Sequence, residues 1–99
     1  MRLSDKQIAA IRKIVAEEAG AEAKIRLFGS RLHDELRGGD LDLLVSVDTS
    51  VSNPAWLAAR LEALISRAMD GRSVDVVLEA PNLRHDTIHK IAREEGIPL

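Results

Sequence analysis

The chain has no cysteine, and Phe28 and Trp56 are its only aromatic residues, 2% of 99. Without cysteine there is no disulfide framework, no thiolate zinc site and no cysteine nucleophile. Two aromatics provide no platform for stacking bases. A net charge of -2 gives no basic footprint, so a stand-alone nucleic-acid binder is not expected. No apolar run approaches membrane-spanning length, and the start MRLSDKQI lacks the apolar core of a signal peptide. A cytoplasmic, membrane-free protein is the expectation.

What is present is ordinary for a globular domain: 45% hydrophobic and 30% charged residues. The length fits one domain spanning 1–99, with a core of Leu, Ile, Val and Ala. Such a small core leaves room for a partner chain, and a homodimer is one form that partner could take.

Ser4-Asp5-Lys6-Gln7 fits a capping box, and Ile8, Ile11, Ile14 and Val15 follow at helical spacing up to Gly20. Lys24 to Phe28 alternates as a strand and runs into Gly29-Ser30. Ser30 to Leu36 is expected to make a short helix, broken by Arg37-Gly38-Gly39. Leu41 to Val47 reads as a strand buried on both faces, with Asp40 at its mouth.

Asn53-Pro54 opens a helix to Met69 whose buried stripe is expected to be Leu57, Leu61, Leu64 and Ala68, with Trp56 covering the core edge. After the Asp70-Gly71 turn, Ser73 to Leu78 is a third strand, with Val74, Val76 and Leu78 on one face and Asp75 on the other. A last helix, Arg84 to Glu95, is expected to bury Ile88, Ile91 and Ala92. The pattern predicts an α/β (α+β) fold: a small sheet with three core strands flanked by about four helices.

The chemistry concentrates in FGSRLHDELRGGDLDLLV, residues 28–45. Residues two apart on a strand point the same way, about 6.5 Å apart, so the Asp40 and Asp42 carboxylates can converge. Two such charges in an apolar strand repel each other unless a cation lies between them. Magnesium suits carboxylate and phosphate oxygens. Asp75, from a neighbouring strand, would complete a site for two ions about 4 Å apart; it is the natural candidate to hold the ion beside the nucleophile, and it could also accept the proton.

Gly29 lets the backbone approach a phosphate and Ser30 adds a hydroxyl, while Arg31 could reach the phosphate or equally be a surface arginine. Asp-x-Asp alone is more often a turn or a cap, and Gly-Ser alone is weaker still. Together, in order and joined by Asp75, they form a stronger signal. His85 and His89, four apart, lack the acidic partner of a metalloprotease motif and are expected on a solvated helix face. His33 is a possible substrate contact. Arg84, Lys90 and Arg93 are expected to be solvated.

GSRLHDELRGGDLDLLV resembles the signature of the DNA polymerase β-like nucleotidyltransferase superfamily. Chain length and the ending REEGIPL are most similar to the minimal nucleotidyltransferases of bacteria and archaea. The resemblance implies a mixed sheet and transfer of a nucleoside monophosphate from a nucleoside triphosphate, ATP by family habit, to an acceptor hydroxyl. It implies Gly29 and Ser30 on the triphosphate, and Asp40, Asp42 and Asp75 as ligands of two magnesium ions.

It also implies a helical HEPN partner, which several such proteins adenylylate as antitoxins. Two departures stand out: Leu32, His33 and Asp34 replace a common glycine, and an extra domain for tRNA, DNA or antibiotics is not expected. Two other readings remain beside this one. One is a module that neutralises a partner by contact alone. The other is an enzyme modifying an antibiotic or metabolite, which would need dimerisation to enclose its acceptor.

Overall fold

The computed structural model describes residues 3–29 and 41–99. The expected short helix at Ser30 to Leu36 lies outside them. In chain order the described elements are α1 (Asp5–Ala19), β1 (Lys24–Phe28), β2 (Leu41–Ser46), α2 (Pro54–Ala68), β3 (Val74–Glu79), α3 (Thr87–Glu95) and β4 (Ile97–Pro98). The four-stranded sheet has the order β3-β2-β1-β4. β1 pairs antiparallel with β2 and with β4, whereas β2 and β3 run parallel, joined by the α2 crossover.

Helix starts follow local chemistry. The Ser4 Oγ accepts from the Gln7 amide at 3.1 Å while the Ser4 amide donates to Gln7 Oε1 at 2.9 Å, the expected capping box. Asn53 Oδ1 caps the Trp56 amide, and Pro54 occupies the first turn of α2. α3 begins at Thr87, later than expected, with Asp86 as its N-cap.

One face of the sheet carries the main core. Leu41, Leu43 and Val45 from β2, and Val74, Val76 and Leu78 from β3, pack against α1 and α2. The α2 stripe runs Leu57, Leu61, Ile65 and then Met69, in steps of four. Leu64 is half-buried and Ala68 exposed, so the expected stripe was out of phase in its second half. Trp56 does not cover the core: it is 58% exposed and stacks with Arg60, 5.6 Å from the ring centroid. Arg60 in turn pairs with Glu18, tying α2 to α1.

The other face carries a smaller cluster of Phe28, Leu44 and Ala92, with Val77 against it. α3 lies over it, turned so that His89 and Ala92 are buried while Ile88 and Ile91 stay exposed. The expected burial of the isoleucines is therefore reversed. The reason is polar. His89 Nε2 bonds the Leu78 carbonyl at 2.9 Å, and its Nδ1 accepts from the Asp86 amide at 3.0 Å. This ring spans β3 and the start of α3, and it fixes the rotation of the helix.

β4 is the strand the sequence pattern did not predict. It pairs with Arg26 and Leu27, and the Leu99 amide extends the contact to the Ile25 carbonyl at 3.0 Å. At the opposite edge, Glu62 of α2 accepts the outward Val76 amide of β3 at 2.9 Å. No helix of the described residues is long and apolar enough to cross a membrane.

Candidate active site

Two carboxylates meet where β2 and β3 begin. In the parallel register Asp42 stands opposite Asp75, as Leu41 stands opposite Val74 and Leu43 opposite Val76. Paired positions on neighbouring strands lie about 4.8 Å apart, and both aspartates project from the face opposite the main core. Asp42 is half-buried and Asp75 exposed, so the pair forms an opening at the end of the sheet.

The same register explains why the sheet holds them firmly. Leu41, Leu43, Leu44 and Val45 have no exposed surface, so β2 is locked on both faces and Asp42 is carried with it. Fixed in this way, two carboxylate positions are held side by side at one end of the sheet.

Gly29 completes what the described residues bring together. β1 runs antiparallel to β2, so Phe28 stands opposite Asp42 and the chain turns at Gly29 directly beside that carboxylate. Gly29 has φ of 83°, and a Cβ added there would fall on Asp42 Oδ2 and lie 3.0 Å from Cγ. Both the left-handed backbone and the close approach demand glycine. Gly29 and the aspartate strand are thus neighbours in space as well as in sequence.

Ser30, Arg31, His33 and Asp40 lie outside the described residues. Among the described residues no group of three or more His, Cys, Asp or Glu forms a metal cluster. Asp42 and Asp75 are nonetheless hard oxygen donors in adjacent register, the chemistry that magnesium takes.

A second polar constellation lies four residues further along the same strands, and sequence reasoning missed it. Ser46 of β2 stands opposite Glu79 of β3 and donates its hydroxyl to Glu79 Oε1 at 2.8 Å. Arg93 of α3 grips both Glu79 oxygens at 2.6 Å, and His85 Nε2 comes within 3.3 Å of Oε2. The Arg93 hydrogen bonds hold the Glu79 carboxyl below the usual carboxylate range. Burial opposes them, while Ser46 and the charges of Arg93 and His85 act in the same direction.

His85 and Arg93 are therefore not merely solvated, contrary to expectation, and His89 is buried. The legible signal was the period of the strands: Ser46 and Glu79 share the face of Asp42 and Asp75. With a full set of partners inside the fold, this cluster ties α3 to the sheet.

The described residues thus form a mixed α/β sheet with paired carboxylates at one strand end and a glycine turn against them. The family model of the nucleotidyltransferase domain matches residues 8–99, and the chain belongs to that family. Comparison with curated proteins and with solved structures returned no match.

Proposed function

We propose that this chain is a magnesium-dependent nucleotidyltransferase that moves a nucleoside monophosphate from ATP to an acceptor hydroxyl. The observation that carries the reading is the register of Asp42 against Asp75 with the Gly29 turn closed onto Asp42. In this reading Asp40, Asp42 and Asp75 supply the metal ligands, and Gly29, Ser30 and Arg31 receive the triphosphate. Magnesium, when bound in a pair, supplies Lewis-acid stabilisation of the charge at the attacking and leaving oxygens.

The protein's own contributions follow from placement. Gly29 keeps the phosphate-side backbone free of a side chain beside Asp42. Asp42 is carried by an interior strand, whose residues Leu41, Leu43, Leu44 and Val45 are fully buried and fix its position. Asp75 is exposed, so an acceptor hydroxyl can approach it and hand over its proton there.

For the acceptor we infer a protein hydroxyl on a helical HEPN-type partner, with this chain acting as the cytoplasmic antitoxin. Support comes from the likeness to minimal nucleotidyltransferases and from the lack of aromatics for holding bases. The test has two stages. Calorimetry with ATP and magnesium compares wild type with Asp42→Asn, and the product of the neighbouring gene is then incubated with labelled ATP. Binding that needs both metal and Asp42, followed by label on the partner, is the expected result. ATP binding unchanged in Asp42→Asn overturns the site, and an unlabelled partner with intact ATP binding overturns the acceptor.

A further inference from the structure

At the end of the sheet away from the two aspartates, the chain gathers positive charge. A cleft of about 570 Å³ opens between α1 and the start of β1, and its charged lining is Arg12, Lys13, Lys24 and Arg26. No Asp or Glu lines it, although acidic residues outnumber Lys and Arg in the chain, 16 to 14. Among the described residues none of these cations forms an ion pair, and Arg26 makes only a long hydrogen bond, 3.5 Å, to the Gly96 carbonyl. Arg12, Lys13 and Lys24 are exposed.

We propose that this cleft is a docking site for an acidic, extended protein segment. Charge complementarity is the first argument. Four cations around one cleft attract carboxylates, although Lys24 and Arg26 also border a neighbouring opening that holds Asp48 and Glu79. Shape is the second. The cations stand on two elements, a helix and an edge-proximal strand, around a floor that includes Ile25 and Pro98. A row of carboxylates on a chain with interspersed apolar side chains meets both, whereas a lone phosphate is too small to reach all of them. β4 is the last strand of the sheet and its Ile97 is 50% exposed, so an apolar contact lies beside the cations.

The lining argues against a nucleic acid. It contains no aromatic residue on which a base could stack. Position separates the cleft from the carboxylate pair. Lys24 stands opposite Ser46 while Phe28 stands opposite Asp42, a run of four residues or roughly 13 Å along the strand. A segment held here leaves the aspartate end of the sheet open, so docking and nucleotidyl transfer are physically independent and the inference does not rest on the proposed reaction.

The test is fluorescence anisotropy with a labelled poly-glutamate peptide at low and at physiological salt. The protein is wild type, Lys13→Glu with Lys24→Glu, or Arg12→Gln with Lys13→Gln, each checked for its fold by circular dichroism. The expected result is salt-sensitive binding by wild type, weakened at least about tenfold by the charge reversal and less by the neutral pair. A Lys13→Arg, Lys24→Arg variant keeps wild-type binding. No peptide binding by folded wild type, equal binding by the charge-reversed variant, or an oligodeoxythymidylate that binds as tightly as the peptide overturns the proposal.

Discussion

A side chain on Gly29 would fall on the carboxylate of Asp42. The two residues come from different strands, yet β1 and β2 pair so that the turn after Phe28 closes against that aspartate. Gly29→Ala therefore carries two penalties, the left-handed backbone at φ of 83° and the clash itself. The backbone penalty alone is about 1–2 kcal/mol. Urea unfolding is expected to show a loss of that size or more. Calorimetry is expected to show ATP affinity falling further than stability does, because the alanine displaces Asp42. Full ATP binding by a folded Gly29→Ala protein would falsify this coupling.

The paired aspartates separate binding from folding. Substituting groups that merely support metal ligands costs 10–100-fold, so losing a ligand is expected to cost more than about 100-fold in transfer. Asp42→Asn and Asp75→Asn are both predicted to reach that level while keeping wild-type circular dichroism. Chelating the divalent ions in wild type is expected to have the same effect, reversed by added magnesium. An Asp75→Asn enzyme with near wild-type turnover would remove that residue from the site.

Sequence patterning made the major elements legible, because caps and periodicity are local signals. Ser4, Asn53-Pro54 and the alternation of KIRLF each mark an element that is present. Likewise, the face shared by Val74, Val76 and Leu78 is the one buried. What escaped was set by distant partners. β4 is a two-residue strand containing Pro98, too short to show any alternation, and it exists because β1 offers an edge. Ile88 and Ile91 read as a core stripe, but α3 is turned by His89 and Arg93 binding to the sheet, which hydropathy does not register. The adjacency of Asp42 and Asp75 was expected only as two strands near each other; the parallel register makes them direct neighbours.

His89 is the polar pin beneath α3. Its Nδ1 accepts from the Asp86 amide, so its Nε2 carries the proton and donates to the Leu78 carbonyl. His89→Leu keeps an apolar volume but leaves both backbone groups without this partner in a buried place. The expected loss is about 1–3 kcal/mol by urea unfolding, with exchange of the Asp86 amide accelerated. Unchanged stability would mean that Ala92 packing and the Arg93–Glu79 pair hold the helix without His89.

The pair of Glu79 and Arg93 predicts a pH dependence whose sign follows from the direction of the Glu79 shift. The folded carboxyl is held below the usual range, chiefly by the Arg93 hydrogen bonds, so the native state releases its proton where the unfolded chain still keeps one. Its contribution to stability is then complete above the ordinary glutamate value, about 4.3, and is lost as pH falls through the lower folded value. Arg93→Ala removes the cause and leaves a buried carboxylate with only Ser46 and His85 beside it. At neutral pH that is expected to cost about 1–2 kcal/mol, less than for a fully enclosed pair because Arg93 is itself exposed to solvent. Urea unfolding of both proteins across the acid range should show the gap narrowing as Glu79 protonates. A gap that stays constant with pH would mean that Arg93 contributes by the packing of its stem rather than by holding the carboxylate.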